Sequence, residues 1–271
     1  MRIVNLIEDT EGKSGCLFEH GLSFYIETKH HKILLDTGAT DAFIKNAEKK
    51  KIDLTKVDTL VVSHGHYDHA GGVPAFAKLC PGAKIYIQRS AMGEFYNVKN
   101  LQEKYIGMDK MIKALGQTVF LDGDLKIDDE LSIFTGVRGN RLLPRGNEVL
   151  MKKYANRFVQ DSFDHEQYLV VSNKDQRILL SGCAHKGILN ILDKYTDLYG
   201  EDPACVISGF HTVMQKYEAK DIEIIKETAK ELLKKRSVFY SGHCTGECAI
   251  EIMKSIMGER LVAIHSGDEI I

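Results

Sequence analysis

The sequence contains no tryptophan, only four prolines and no long apolar run. Its uninterrupted apolar stretches fall well short of the roughly 20 residues that a membrane-spanning helix needs. Its first residues do not resemble a signal peptide. Neither sign of charge dominates, because the net charge is only −2 at neutral pH. We therefore expect no membrane anchor and no binding of nucleic acid, which a basic surface would favour.

Cysteine is also sparse, with six residues spread over 271 positions. A disulfide framework is typical of a shorter chain with a denser cysteine pattern, so these thiols suit a reducing compartment. We predict a cytoplasmic protein. Its oligomeric state is not indicated by any sequence feature.

Apolar runs of strand length alternate with amphipathic segments of helical period, which predicts an α/β fold. The run VDTLVVS, residues 57–63, is typical of a buried strand. Further along, YLVVSN and RILLSG look like paired strands around the turn NKDQ. No internal repeat divides the chain, so we predict a single domain over residues 1–271.

Residues 90–160 are less regular than the rest. We expect a helix near 100–115, strands near 117–121 and 131–136, and a basic run around Arg138, Arg141 and Arg145. We interpret 90–160 as an insertion or lid outside the central sheets. Its arginines would bind a phosphate through forked hydrogen bonds.

The stretch LVVSHGHYDHAGG, residues 60–72, places four ligand-type side chains within six positions: His64, His66, Asp68 and His69. His64 and His66 are two apart at the end of a strand, so in extended backbone they point the same way. Zinc, iron and manganese all accept imidazole and carboxylate ligands. A solvated polar loop would explain one histidine but not this concentration. The stretch therefore predicts a metal site.

This stretch resembles the His-X-His-X-Asp-His signature of the metallo-β-lactamase superfamily. The earlier LLDTG and the later SGCAHKGILNIL, ISGFHT and SGHCTGECA extend the resemblance over most of the chain. They are similar to a branch of dihydropterin-methyl-ribofuranosylaminobenzene-phosphate synthases. The resemblance implies an αββα sandwich with one or two divalent metals, zinc foremost and iron or manganese as alternatives. It also implies that Asp36, in LLDTG, contacts the metal ligands without binding the metal itself.

By the same resemblance, His185 completes a first metal site with His64 and His66. His243 would complete a second site with Asp68 and His69. His211, in ISGFHT, competes with His243 for this place, and the loser would lie at the rim and contact substrate.

Cys183 stands where many superfamily members have an aspartate that bridges two metals. We expect its thiol to ligate one metal only, which would leave the second metal weakly bound, or to be a small buried hydrophobe. His165 matches the third metal histidine of many members, whereas the branch resembled here relies on the neighbouring Glu166.

Such a site indicates an enzyme. A metal held by neutral histidines lowers the pKa of a bound water, so hydroxide can attack an electrophile near neutral pH. Asp68 can orient this water or accept its proton, and Tyr67 can donate to a substrate oxygen or pack against the sheet. We predict a hydrolase or transferase acting on a small phosphorylated or pterin-like molecule.

Two alternatives remain open at this point. A di-iron oxidoreductase of the same fold usually has a flavin domain and an acidic residue in place of one histidine. A non-catalytic metal-binding or sensing protein usually loses ligands, whereas the signature here is intact.

Overall fold

The structure is a computed structural model that describes residues 1–173 and 176–271. In chain order the strands are β1 (Arg2–Ile7), β2 (Ser23–Glu27), β3 (Lys32–Leu35), β4 (Thr59–Val62), β5 (Lys84–Gln88), β6 (Phe95–Lys99), β7 (Gln102–Tyr105), β8 (Thr118–Leu121), β9 (Leu125–Lys126), β10 (Leu131–Thr135), β11 (Leu150–Tyr154), β12 (Arg157–Gln160), β13 (Gln167–Ser172), β14 (Arg177–Leu180), β15 (Cys205–Ile207), β16 (Val238–Ser241) and β17 (Leu261–Ala263). The helices are α1 (Ala42–Lys49), α2 (Tyr67–Ala70), α3 (Val73–Leu79), α4 (Ile188–Tyr199), α5 (Ala219–Leu233) and α6 (Glu247–Met257).

Two central sheets pack face to face. The first has the order β1-β2-β3-β4-β5-β8, and the second has the order β17-β16-β15-β14-β13-β10-β9. One apolar cluster joins them and includes Val61 of the first sheet and Leu180 of the second. Because an apolar side chain loses its contact with water in such a layer, burial stabilises the sandwich by about 25 cal/mol per Å² of apolar surface.

Helices cover the two outer faces of the sandwich. Phe43 of α1 and Phe76 of α3 pack in the cluster outside the first sheet. Leu192 of α4, Ile225 of α5 and Met253 of α6 pack in the cluster outside the second. The layers are helix, sheet, sheet and helix, and the predicted αββα sandwich is confirmed.

Parallel pairing brings the chain ends of several strands to one edge. In the first sheet β3, β4 and β5 run parallel, and in the second β14, β15, β16 and β17 do so. The residues of β4 are all buried, as expected for a strand covered on both faces. The segments after these parallel strands carry the signature and the later histidines, so the topology gathers them at this edge.

Residues 90–160 differ from the expected single insertion. β8 joins the first central sheet, while β9 and β10 join the second. The apolar runs TVFL and LSIFT explain this, since they pair with strands of the core. A separate four-stranded sheet, with the order β12-β11-β6-β7, is formed by the parts before and after them. We call this the lid sheet.

The prediction of a helix near 100–115 is wrong. Asn100 and Leu101 adopt positive φ values of 52° and 63° and form a two-residue turn between β6 and β7. Turns of this kind match the twist of paired strands, so local turn geometry overrides the helical spacing. A short 3₁₀ helix follows at Lys110–Ala114.

β13 and β14 pair as predicted, in antiparallel register. The turn expected between them includes residues 174 and 175, which lie outside the described residues. Within the described part of the chain, no helix is both long and apolar enough to cross a membrane.

Candidate metal centre

The candidate site lies where the ends of β4 and β14 approach each other from the two sheets. At Gly182, two residues after the end of β14, an added Cβ would lie 2.3 Å from Ser63 Oγ and 3.1 Å from His64 Nδ1. Only glycine permits this approach. It places the segment 183–185 against the signature.

Backbone with positive φ occurs in the same segments. Asp36, Ala184, His211 and His243 have positive φ values between 49° and 60°, and each follows a parallel strand. For residues with a Cβ this conformation is uncommon, and it is typical of sites where surrounding contacts hold a side chain in place.

Three histidines form what we call the first cluster: His64, His66 and His185. All three are buried. His64 Nε2 lies 3.0 Å from His66 Nδ1, and the ring of His185 is centred 5.0 Å from each of their rings. The signature and the segment after β14 therefore contribute to one group of imidazoles.

Asp68, His69 and His243 form the second cluster. Asp68 Oδ2 lies 3.4 Å from His69 Nε2 and 3.4 Å from His243 Nε2. His20, at the rim, brings its Nε2 to 3.6 Å from the same carboxylate oxygen. The second cluster thus borders a histidine whose side chain is 58% exposed.

Four of the five histidines share one arrangement: Nδ1 is held by an oxygen and Nε2 faces the centre. The pairs are His64 Nδ1 with Ser63 Oγ at 2.9 Å, His69 Nδ1 with Asp36 Oδ2 at 2.7 Å, His185 Nδ1 with Asn147 Oδ1 at 2.9 Å, and His243 Nδ1 with Asp9 Oδ1 at 2.6 Å. Histidines that bind metals almost always donate their other ring N–H in this way, which fixes the ring.

Two inward nitrogens have no partner in the described structure. Nε2 of His66 and Nε2 of His185 are buried without a hydrogen bond, whereas Nε2 of His243 faces the Asp68 carboxylate at 3.4 Å. A buried polar atom without a partner is costly, and a metal ion would satisfy such atoms. The donor set of imidazole, carboxylate and thiol fits a divalent metal of the zinc type.

The clusters differ in charge when no metal is present. Burial, followed by repulsion from neighbouring histidines, lowers the pKa of His66 to about 3 and the pKa values of His64 and His185 well below their usual range. Burial also opposes charge on His69, but the carboxylates of Asp36 and Asp68 outweigh it and raise the pKa of His69 to about 9. The first cluster is therefore neutral and the second carries charge.

Comparison with known proteins places this geometry in a family. The metallo-beta-lactamase superfamily profile matches residues 17–225. The chain belongs to this superfamily. Its fold supports metal-dependent hydrolases, and the structure supplies histidine and aspartate groups able to hold divalent ions.

Individual relatives are similar over most or nearly all of the chain. The 7,8-dihydropterin-6-methyl-4-(beta-D-ribofuranosyl)-aminobenzene-5'-phosphate synthase of Methanocaldococcus jannaschii is 26% identical, over 98% of this chain and 95% of its own. An uncharacterized protein of the same organism is 26% identical over 78% of this chain and 80% of its own. Among solved structures, Tm1679, a metal-dependent hydrolase of the beta-lactamase superfamily, has a TM-score of 0.81 and 29% identity, covering 100% of this chain and 98% of that one.

The two competing histidines of this superfamily member lie in different places. His243 is the one that lies beside Asp68 and His69, whereas the ring of His211 is centred 4.1 Å from that of His185. His211 is half-buried and lines the cavity above the clusters. The geometry therefore favours His243 as the second-cluster histidine and puts His211 at the wall.

His165 and Glu166 hold loops beside the centre, and the ligand atoms of His165, His66 and Asp161 also lie within 4.8 Å of one another. His165 Nδ1 accepts the Gly65 N–H at 3.1 Å, and its Nε2 lies 3.1 Å from Asp161. Glu166 accepts hydrogen bonds from the backbone N–H groups of His185 and Lys186 at 2.7 and 2.9 Å. Both ring nitrogens of His165 are thus engaged by protein.

Sequence reasoning missed two residues that hold the histidines, Asp9 and Asn147. Asp9 follows β1 within the acidic pair of NLIEDT, and this pair after a strand was an available signal. The other member of the pair, Glu8, accepts the backbone N–H of His243. Asn147 lies in a short 3₁₀ helix, Arg145–Val149, where no sequence pattern marks it.

A cavity of about 630 Å³ opens above the two clusters. Asp68, His185 and His243 lie on its floor, and Tyr67, Lys99, Lys104 and Arg145 lie in its wall. Lys99 and Lys104 belong to the lid sheet. A small molecule in this cavity would contact both clusters and the lid.

Proposed function

We propose that this protein is a metal-dependent enzyme that hydrolyses, or transfers a group of, a small phosphorylated or pterin-like molecule. The observation that carries the proposal is the convergence of two ligand clusters, with unpartnered buried nitrogens, on the floor of one cavity. Membership of the superfamily and the similarity to the archaeal synthase support it.

In this proposal each cluster binds one metal ion. His64, His66 and His185 bind the first, while Asp68, His69 and His243 bind the second, and zinc is the expected ion because its preferred ligands are nitrogen, sulfur and oxygen donors of this kind. A bound divalent ion would supply the positive charge that activates water and stabilises an oxyanion.

Asp68 is the proposed proton acceptor and orienting group. Burial opposes its charge, but His69 and His243 hold its pKa well below the usual range, so it is a carboxylate at neutral pH. Its Oδ2 atom faces both histidines, and the residue lines the cavity. A carboxylate at this place can receive a proton from attacking water.

The wall of the cavity favours an anionic substrate. Lys104 Nζ lies 5.4 Å from the centre of the Tyr67 ring, and Lys99 Nζ donates to Gln215 Oε1 at 2.7 Å. Among the described residues, no carboxylate lies within ion-pair distance of either lysine. Both ammonium groups are therefore free to bind a phosphate, and Tyr67 both supports Lys104 and faces the substrate.

The three arginines expected to bind phosphate are less suitable. Arg141 Nη1 and Nη2 donate to Asp193 and Glu231 at 2.6 and 3.1 Å on the exposed side of the molecule. Arg145 lines the cavity, but Asp221 and Glu218 already accept from its Nη1. Arg138 is exposed and does not line the cavity. We therefore transfer the phosphate role to Lys99 and Lys104.

Metal analysis combined with a substrate panel tests the proposal. The panel contains a phosphodiester, a lactone and a phosphorylated dihydropterin together with its dephosphorylated form. We expect activity that requires metal and a KM that is lower for the phosphorylated form. Lys104→Gln should raise this KM without changing metal content, whereas the remote exposed Lys126→Gln should change neither.

A metal-loaded protein that is inactive on the whole panel would contradict the enzymatic assignment. Equal KM values for phosphorylated and dephosphorylated substrates would contradict the phosphate role of the lid sheet.

A further inference from the structure

We propose that the Cys183 thiolate is a ligand shared by both metal positions. This inference rests on the proposed function, because it assumes that metals occupy the two clusters. It differs from the sequence-based expectation that this thiol serves one metal only.

The position of the Cys183 sulfur carries the inference. Sγ, the ligand atoms of His64 and those of His185 all lie within 4.8 Å of one another. The same sulfur also lies within 4.8 Å of the ligand atoms of Asp68, His69 and His243. Its separation from His69 Nε2 is 3.2 Å. A zinc–sulfur bond is about 2.3 Å and a zinc–nitrogen bond about 2.0–2.1 Å, so atoms at these separations can share an ion after small side-chain adjustments.

The backbone on both sides of Cys183 is fixed. Gly182 is packed against Ser63 and accepts the Gly209 N–H at 2.8 Å. On the other side, Ala184 has a φ of 54°, and Glu166 accepts the His185 N–H. These anchors set the direction of the Cα–Cβ bond of Cys183, so its sulfur can move only by rotation about χ1.

Other buried thiols provide a contrast within the same chain. Cys80 and Cys205 pack among apolar side chains of the core. Cys183 is equally buried but belongs to none of the apolar clusters formed by the described residues, and its sulfur faces an imidazole edge. The interpretation of Cys183 as a small core hydrophobe is therefore disfavoured.

Cys244 is the nearest competitor. Its Sγ donates to the backbone oxygen of Cys183 at 3.7 Å and groups with Cys183 and His211, but not with the carboxylate or the other histidines of the centre. Cys183 is the thiol that groups with two members of the first cluster, His64 and His185, and with all three members of the second cluster. On coordination it would lose its proton to solvent, and one anionic sulfur would then offset part of the charge of two cations.

Titration of cobalt(II) alone into metal-free protein tests the inference without any activity assay. The titration is done anaerobically with a phosphine reductant, and the signal is the near-ultraviolet charge-transfer absorption of a cobalt–thiolate bond. We expect this absorption to rise with the first equivalent and again with the second, since one sulfur would bind both ions.

Cysteine variants show which sulfur binds cobalt. More than one variant is used, so that the test remains valid if a single variant folds poorly. Cys183→Ser should lose the charge-transfer absorption, and Cys183→Asp should lose it while still binding two cobalt ions through a carboxylate. Cys244→Ser, and Cys248→Ser on exposed α6, should retain it. Loss of the absorption in Cys244→Ser alone would overturn the assignment to Cys183.

The outcomes separate this inference from the proposed function. Two bound cobalt ions with no thiolate absorption, or absorption complete after one equivalent, would contradict a shared sulfur while leaving the metal centre intact. No cobalt binding by the native protein would contradict the metal centre itself.

Discussion

The two clusters differ in how they are prepared for a metal. The first consists of buried histidines that are already neutral in metal-free protein, as their lowered pKa values show. The second holds a carboxylate and His69, whose pKa is raised to about 9, and it borders the exposed His20. Because metal ligands must be deprotonated, metal competes with protons at the second cluster but much less at the first.

The largest expected effect comes from removing the charge of the second cluster. Asp68→Asn keeps the size of the side chain but loses the carboxylate that contacts His69 and His243. We expect catalytic turnover to fall by about 10²–10⁴-fold. Metal analysis should show loss of one metal only, with the first cluster still filled. The exposed Asp122→Asn is the matched control, and unchanged metal content in Asp68→Asn would refute the assignment.

The effect of pH on metal binding should separate the clusters directly. Below pH 9 a proton must leave His69 before metal binds. Metal affinity at the second cluster should therefore fall by about tenfold for each unit by which the pH is lowered, for each displaced proton. The pKa of His66 is about 3, so affinity at the first cluster should stay nearly flat between pH 6 and 8. Zinc competition with a chelating dye at several pH values measures both affinities. If the two affinities changed equally with pH, the clusters would not differ in their competition with protons.

The same pKa values set the sign of a stability change in metal-free protein. The folded-state pKa of His69 lies above its unfolded value of about 6.5. Its stabilising contribution is therefore complete below about pH 6.5 and is lost as the pH rises through 9. Denaturant unfolding at several pH values should show that His69→Gln reduces the decrease in the free energy of unfolding between pH 6.5 and 9. An unchanged pH dependence would argue against a charged His69.

The residues that hold Nδ1 of the histidines should each affect metal binding at one cluster. Asn147→Ala removes the oxygen that holds His185, and Asp9→Ala removes the one that holds His243. Loss of such partners typically weakens metal binding by about 10–100-fold. We expect weaker binding at the first cluster for Asn147→Ala and at the second for Asp9→Ala. Equal weakening of both metals by either variant would mean that the clusters are not separate units.

The smallest effect is expected outside the site. Arg141 forms exposed ion pairs with Asp193 and Glu231, and such pairs contribute about 0.2–1 kcal/mol. Because Arg141 forms two such pairs, Arg141→Gln should lower the free energy of unfolding by at most about 2 kcal/mol and leave both metals bound. A rise in KM for a phosphorylated substrate would restore the phosphate role that the sequence suggested.

Local patterns made part of this site predictable. The signature is contiguous and follows the apolar run of β4, so His64, His66, Asp68 and His69 could be predicted as ligands from spacing and residue type, and the structure places them at one edge of the sandwich. The alternation of strand and helix patterns predicted an α/β fold, and the resemblance of the signature implied the sandwich that the structure has.

Contacts distant in sequence account for what could not be predicted. His211 and His243 both follow parallel strands, and contacts distant in sequence distinguish them: His243 lies beside Asp68 and is held by Asp9, 234 residues away. Asn147 reaches His185 from a segment whose path depends on turns between lid strands. The same turns decide which parts of 90–160 enter the central sheets.

A crystal structure of zinc-loaded protein, with anomalous scattering measured at the zinc edge, tests the central claim most directly. The account predicts two peaks, one bound by His64, His66 and His185 and the other by Asp68, His69 and His243. At low pH the second peak should weaken before the first. No peak at this edge of the sandwich, or a single ion bound by other residues, would contradict the account.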